Sequence, residues 1–151
     1  VDITNLHRQQ YKANQVGTSK TDALKENLSE IAPYVAIETH SVRISEDNAE
    51  ALLKNADIIC EAFDDAECKA MLVNLVTERM PEKYLVAASG MAGMGSANTI
   101  QTRRISKRFY LCGDGASDVS EAGSLVASRV MLCAAHQAHT VLRILTEQFE
   151  T

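Results

Sequence analysis

The sequence predicts an α/β fold with a mostly parallel sheet, and two observations support this prediction. First, segments with the spacing of amphipathic helices alternate with short apolar runs along the chain, which is typical of a parallel sheet flanked by helices. Second, the runs at residues 57–63 and 84–89 are largely apolar, as expected of buried parallel strands. The length of 151 residues, with 46% hydrophobic and 23% charged residues, fits a single soluble domain over residues 1–151.

The individual elements follow from spacing, caps and helix breakers. Apolar residues recur three and four apart from Ala23 to Ile31, which predicts a helix, and Thr18 or Ser19 precedes it as a cap. Pro33 ends that helix. This first helix therefore runs from its cap at residue 18 or 19 to about residue 31. The same reasoning predicts the later elements, which are a strand over 35–39, a helix over 45–53, a strand over 57–63, a helix over 66–80, a strand over 84–89, a hairpin of strands over 99–105 and 109–112, and a long helix over 121–149.

Composition and charge argue against several classes of protein. The formal net charge is −5, whereas nucleic-acid-binding domains are usually basic, so we expect no nucleic-acid partner. The apolar runs are too short to span a membrane, and we recognise no signal peptide. The four cysteines include no Cys-x-x-Cys pair, which argues against a disulfide framework and a zinc ribbon. We therefore expect a cytoplasmic protein with reduced thiols.

The most informative stretch is a polar turn near the start of the chain. It contains Asn5, Arg8 and Gln9, and Gly17 then leads into a helix with Lys20 in its first turn. Arginine offers a planar fork of donors and lysine a mobile point charge, and together they suit a polyphosphate. A helix N-terminus adds backbone N–H groups and a positive dipole end. The stretch therefore indicates a phosphate site, although most lysines and arginines are simply solvated surface charges.

This stretch also resembles a signature of the ThiF/MoeB/HesA family, which is kin to the ubiquitin-activating enzymes. The matching residues are Thr-Asn-Leu-His-Arg-Gln at 4–9 and Val-Gly-Thr-Ser-Lys at 16–20. The resemblance implies a Rossmann-like fold that uses ATP and Mg²⁺ to adenylate the C-terminal Gly-Gly of a ubiquitin-like sulfur carrier protein. It also implies a homodimer. The compact form, without the paired zinc cysteines of many members, looks most like a ThiF-type protein of thiamine biosynthesis with a ThiS-like carrier.

On this resemblance, three residues stand at the family's catalytic positions. Arg8 and Lys20 would neutralise the repulsion between a carboxylate nucleophile and the α-phosphate. Asp64 follows a predicted strand, at the sheet edge where α/β proteins bind ligands, and it would hold Mg²⁺ against phosphate oxygens. An aspartate there could also be a plain helix cap, and an asparagine in a turn could be a plain turn-former. Further contacts to the nucleotide would come from Asn5, Gln9 and Asp65, the last in place of the family's usual asparagine.

The chain departs from the family pattern in several places. Val119 replaces the cysteine that often precedes the last helix, which excludes covalent sulfur transfer through that position. Cys112 could be a reactive thiol, but most cysteines are buried and inert. The glycines at 90–95 give only a weak phosphate-loop pattern. The family's first strands and Gly-x-Gly-x-x-Gly loop are absent from this chain, so in its strand order, 3-2-1-4-5, we expect the strands at 35–39 and 57–63 to lose a neighbour.

Three functional classes stay open at this point. The first is an ATP-dependent adenylyltransferase for a thiamine-type carrier or, alternatively, a molybdopterin-type carrier. The second is an inactive or partner-completed module that keeps a carrier-binding surface. The third is an unrelated nucleotide-binding Rossmann fragment, such as an NAD domain, and the Asn-Leu-x-Arg-Gln block at residues 5–9 argues against it.

Overall fold

The computed structural model describes residues 1–149 and confirms the predicted α/β class. Contacts divide the chain into two compact units, Val1–Arg43 and a second unit that begins at Ile44. The single domain over residues 1–151 stays a prediction. None of the helices in the described residues is long and apolar enough to cross a membrane.

The first unit contains helix α1, Lys20–Ile31, which confirms the predicted helix and has Ser19 as its N-cap residue. Two short 3-10 helices, Ile3–Asn5 and Ala13–Gln15, precede it. The residues that predicted α1 are not buried as a stripe, since Ile31 is exposed.

The buried centre of the first unit is polar. The Gln15 amide donates to the Asn27 side-chain oxygen at 2.9 Å, and the Asn27 amide donates to the Gln10 carbonyl at 2.9 Å. Both side chains are buried, and buried amides need such partners. These hydrogen bonds fix the segment before α1 to the helix itself.

The predicted strand at residues 35–39 is wrong. The chain makes a turn after α1, and residues 36–40 have no regular secondary structure. An alternating sequence shows which residues suit the two faces of a strand, but a strand also requires a neighbour that pairs with its N–H and C=O groups. All four strands of the described sheet lie in the second unit.

The sheet of the second unit has four strands in the order β1-β2-β4-β3. β1, β2 and β4 are parallel, and β3 pairs antiparallel with β4 as the predicted hairpin. The strand predicted over 57–63 is shorter than expected, because β1 has one partner strand in the described sheet and pairs through three of its residues. The bounds are β1, Ile58–Cys60, β2, Tyr84–Ala88, β3, Gln101–Ser106, and β4, Phe109–Gly113.

The helices of the second unit confirm most of the prediction, except at the end of the chain. The single long helix predicted over 121–149 is instead two helices, because Gly123 adopts a left-handed φ of 79° and ends the first of them. Glycine is favoured at such helix ends, since it has no Cβ to oppose that conformation. The bounds are α2, Glu46–Leu53, α3, Ala66–Arg79, α4, Val119–Ala122, and α5, Ala127–Leu145.

Two apolar clusters hold this unit together. Leu85 of β2 packs in a cluster with α2 and α3, whereas its neighbour Val86 packs in a cluster with β4 and α5. Successive residues of a strand point to opposite faces of the sheet, so the two clusters cover its two sides. Loops follow the carboxyl ends of the parallel strands. These loops carry the polar groups of the second unit that are described below.

Candidate functional site

Asn5 has a structural role in the polar turn at residues 4–9. Its side-chain oxygen accepts the Asp2 N–H at 2.9 Å, and the Asp2 carboxylate accepts the Thr4 N–H at 2.8 Å. The first of these bonds, together with a bond from the Asn5 N–H to the Asp2 side chain, forms a capping box on the 3-10 helix Ile3–Asn5. The turn-forming role is therefore present, and a contact of Asn5 with a nucleotide stays a prediction.

The two predicted catalytic cations of the first unit differ in their surroundings. Arg8 is half-buried, and its Nη1 donates to the Thr4 carbonyl at 2.7 Å. Lys20 is exposed at the first position of α1. Hydrogen bonds from Thr4 lower the pKa of Asp2, and the charge of Lys20 adds to this effect.

The start of the chain connects the polar turn to α1. The Val1 carbonyl accepts the Gly17 N–H at 2.8 Å, and the Val1 amino group donates to the Thr18 carbonyl. Gly17 has a left-handed φ of 91°, a conformation that favours glycine. The glycine of the Val-Gly-x-x-Lys block thus shapes the approach to Lys20.

Gln9 carries an unsatisfied polar atom. Its side-chain oxygen is buried and has no hydrogen-bond partner within residues 1–149. A buried acceptor without a donor costs about 1–3 kcal/mol, and a ligand with an N–H or O–H group would remove that cost. This oxygen is therefore available to a ligand, and a contact of Gln9 with a nucleotide stays a prediction.

Asp64 and Asp65 follow β1 at its carboxyl end but have different surroundings. Asp65 is the N-cap residue of α3, and its carboxylate accepts the Cys68 N–H at 2.8 Å. Asp64 is exposed, and its side chain has no hydrogen bond or ion pair within the described part of the chain. A carboxylate that is not engaged by the fold can serve as an oxygen ligand to a hard cation. Asp65 is thus the helix cap, which leaves the Asp64 carboxylate available to a cation.

A buried ion pair lies beside these residues at the carboxyl ends of β1 and β2. The Glu61 side chain is 1% exposed, and the Lys69 amino group lies 3.0 Å and 3.1 Å from its two oxygens. Lys69 also donates to the Ala88 carbonyl at the end of β2, at 3.0 Å. The three donors of the ammonium group are therefore used within the fold. The sequence prediction did not find Lys69 as the partner of Glu61.

A second buried pair anchors the loop that follows β2. The Arg129 guanidinium contacts the Asp114 carboxylate at 2.6 Å, and its Nη1 donates to the carbonyls of Gly95 and Ser96 at 2.7 Å and 2.8 Å. The Arg129 side chain is 5% exposed. An arginine inside a helix pattern gives no signal for this role, and the sequence prediction missed it.

The loops after β2 and β4 also interlock through glycines. Gly113 has a φ of 131°, and a Cβ there would lie 1.8 Å from the Ser89 carbonyl oxygen. Gly90 has a φ of 78°, and a Cβ there would lie 2.0 Å from the Asp114 carboxylate. Such distances are far inside van der Waals contact. The glycine-rich stretch at 90–95 is thus closely packed against the loop after β4, rather than a mobile connection.

The remaining candidate groups are structural. Cys112 is buried, and burial raises the pKa of its thiol, which opposes thiolate chemistry. Burial likewise raises the pKa of Cys133 to about 11. No set of three or more histidine, cysteine, aspartate and glutamate residues is arranged to hold a metal ion within residues 1–149. A cation at Asp64 would therefore take other ligands from its substrate, as Mg²⁺ does with phosphates.

These features define an α/β domain with polar groups at the carboxyl edge of parallel strands, the edge where nucleotide-binding folds bind their ligands. The chain belongs to the ThiF family, whose pattern it matches over residues 1–151.

Curated relatives include two proteins named adenylyltransferase and sulfurtransferase. UBA4 of Scheffersomyces stipitis is 31% identical over 101 residues, which is 66% of this chain and 22% of that protein. MOCS3 of Culex quinquefasciatus is 33% identical over 92 residues, which is 60% of this chain and 20% of that protein. The matched part of the chain thus spans about a fifth of the length of these two relatives.

Among solved structures, the fold is similar to E. coli tRNA N6-threonylcarbamoyladenosine dehydratase, TcdA, in complex with ATP. The TM-score is 0.80 at 17% identity, and the match covers 97% of this chain and 72% of that chain. TcdA in complex with AMP gives a TM-score of 0.79 at 18% identity. At this level of identity the likeness confirms the fold alone.

Proposed function

We propose that this domain, in the intact protein, adenylates the C-terminal Gly-Gly of a ubiquitin-like sulfur carrier with ATP and Mg²⁺. Membership of the ThiF family supports this proposal. So do the adenylyltransferase names of the relatives and the ATP and AMP complexes of TcdA.

The observation that carries the proposal is the contrast between the two aspartates after β1. Asp65 is used by the fold as a cap, whereas Asp64 presents an unengaged carboxylate at the carboxyl end of a parallel strand. Mg²⁺ takes such carboxylates together with phosphate oxygens, so Asp64 would hold the ion. When bound, the ion would neutralise charge on the phosphates.

The cations and nucleotide contacts would come from Arg8, Lys20, Gln9 and Asn5. Arg8 and Lys20 would stabilise the negative charge that develops as the carrier's carboxylate attacks the α-phosphate and pyrophosphate leaves. Gln9 would use its unsatisfied side-chain oxygen to accept a donor from the nucleotide, with Asn5 beside it. No general base is needed, because the nucleophile is already a carboxylate.

Within this class we favour a ThiS-like carrier and thiamine biosynthesis over a molybdopterin-type carrier. The sequence has Val119 where family members often have a sulfur-transfer cysteine, and it lacks paired cysteines. The names of the curated relatives include sulfurtransferase activity, which keeps the molybdopterin-type carrier as the second candidate. We also propose a cytoplasmic homodimer, the commonest symmetry for soluble oligomers.

ATP–pyrophosphate exchange by the intact protein tests the proposal. We expect exchange only when a carrier ending in Gly-Gly is added, and faster exchange with a ThiS-like than with a molybdopterin-type carrier. A carrier that lacks its two terminal glycines is the control. Absence of exchange with every Gly-Gly carrier would favour the non-catalytic module instead.

A further inference from the structure

A separate pocket of about 340 Å³ lies in the second unit between α5 and the β3–β4 hairpin. We name it the α5 pocket, and its main polar lining residues are Thr102, Tyr110, His136, His139, Arg143 and Gln148. Its volume is near the lower end of the range of about 300–1,000 Å³ for small-ligand sites. β3 and β1 are opposite edges of the sheet, so three strand spacings, about 14 Å, separate their backbones. The α5 pocket is therefore distinct from the position of Asp64.

The basic side chains of the α5 pocket come from one face of one helix. His136, His139 and Arg143 are three and four residues apart on α5, which places them side by side. They can present donors and positive charge to the same space. Among the described residues 1–149, no aspartate or glutamate lines the pocket, although the chain as a whole has a net charge of −5.

Contacts within the fold fix two of these side chains. Thr102 Oγ1 and His136 Nδ1 are 2.9 Å apart, so the hydroxyl holds one ring nitrogen and leaves the other. Arg143 Nε donates to the Gln148 carbonyl at 3.2 Å. Its two Nη groups have no hydrogen bond or ion pair with any described residue. The guanidinium is therefore oriented but keeps the fork that binds oxyanions in pairs of hydrogen bonds.

We propose that the α5 pocket binds a phosphate group, with Arg143 as its main ligand and His136 and His139 as additional donors. Phosphate has several acceptor oxygens, which suits donors that converge from one helix face, whereas acetate can use only two. The phosphate could be the free ion or a phosphomonoester, since both expose the same oxygens. This proposal does not depend on adenylation, because none of its residues belongs to the catalytic set proposed above.

Titration of the full chain with inorganic phosphate, followed by NMR of the histidine side chains, tests the site directly. We expect the ring signals of His136 and His139 to shift in a saturable manner, with little change at His40, which belongs to neither proposed phosphate site. O-phosphoserine, added in a parallel titration, distinguishes a monoester from the free ion. Acetate is the carboxylate control and should bind more weakly.

Two matched arginine variants test whether Arg143 contributes to the free energy of phosphate binding. Arg143→Met should weaken phosphate binding about tenfold, since a hydrogen-bonded charge contact contributes about 1.5–3 kcal/mol and 1.4 kcal/mol is a factor of ten. Arg79→Met is the control, because Arg79 also lies in the last turn of its helix but lines a different surface. Circular dichroism confirms that both variants are folded.

Three results would overturn the proposal. They are the absence of saturable histidine shifts with either phosphate compound, equal binding by wild type and folded Arg143→Met, and acetate binding as tight as phosphate. The first result needs no variant, so the test stands even if Arg143→Met does not fold.

Discussion

Replacing Lys69 with methionine removes the partner of a buried carboxylate and keeps the length of the side chain. The Glu61 side chain is 1% exposed, while that of Lys69 is 23% exposed. After the change, the Phe63 N–H is the one donor within residues 1–149 that still binds the Glu61 carboxylate. Its charge would then be buried without a counter-charge, and the Ala88 carbonyl would lose the ammonium donor as well.

The expected loss of unfolding free energy is about 3–5 kcal/mol, the cost of breaking a buried pair from one side. Glu61→Gln should cost less, because the amide oxygen still accepts a hydrogen bond and Lys69 is partly accessible to water. In the double variant the uncompensated carboxylate is gone. The double variant should therefore be more stable than Lys69→Met alone. The unfolding free energies of wild type, the two single variants and the double variant together give the coupling free energy between Glu61 and Lys69.

Urea unfolding followed by circular dichroism measures these differences. With a slope of about 2 kcal/mol per molar urea, Lys69→Met should lower the midpoint by about 1.5–2.5 M. Arg79→Met is the control on the same helix, because its pair with Glu46 is 3.9 Å long and exposed, and exposed pairs contribute about 0–1 kcal/mol. A Lys69→Met loss no larger than that of Arg79→Met would refute the reasoning.

Three other predictions concern the proposed catalytic residues, the Asp114 carboxyl and two loop glycines. Arg8→Ala or Asp64→Ala should each slow carrier-dependent exchange by at least about a hundredfold, as for other preorganised charge contacts, and near-normal exchange would contradict the assigned roles. Burial by itself raises the pKa of the Asp114 carboxyl. Hydrogen bonds from the Ser117 and Ala116 N–H groups and the charge of Arg129 outweigh this effect, so that the net pKa is lowered to about 2. The folded carboxyl is therefore more acidic than the unfolded one, so it stabilises the fold above pH 4 by about 2 kcal/mol. That contribution is lost as the pH falls from about 4 to 2, and Asp114→Asn should flatten the unfolding free energy in that window. Gly113→Ala should destabilise by more than about 3 kcal/mol. Gly123 also has a positive φ, of 79°, but no atom lies within 4 Å of a Cβ placed there, so Gly123→Ala should cost only about 1–2 kcal/mol in thermal or urea unfolding.

The sequence predicted the elements that depend on local spacing. α1, α2 and α3 form close to their expected bounds, and β2, β3 and β4 form with the expected hairpin. The errors arise where a partner or a single backbone angle decides. Residues 35–39 alternate correctly but are not part of the sheet, and Gly123 divides a helix whose apolar periodicity continues across it.

The polar groups were predictable to different degrees. Asp64 could be chosen because the family resemblance places a metal-linked aspartate after this strand, and only the structure shows that Asp65 takes the cap. Lys69 and Arg129 were not found, because each lies in a helix pattern where a lysine or arginine is normally solvated. Their partners are 8 and 15 residues away in sequence, and no local rule connects them.

The two buried pairs act on one short segment, which explains why they matter together. Lys69 binds the carbonyl of Ala88, and the next residues, Ser89 and Gly90, pair with the loop after β4 that Arg129 anchors through Asp114. The end of β2 is thus held from the side of β1 and from the side of β4. A buried ion pair adds little net stability compared with apolar packing, but it accepts only one arrangement of its partners. At the edge of the sheet that carries Asp64, this selectivity would keep the loops in a single conformation before any ligand arrives, which is the preorganisation that electrostatic catalysis requires.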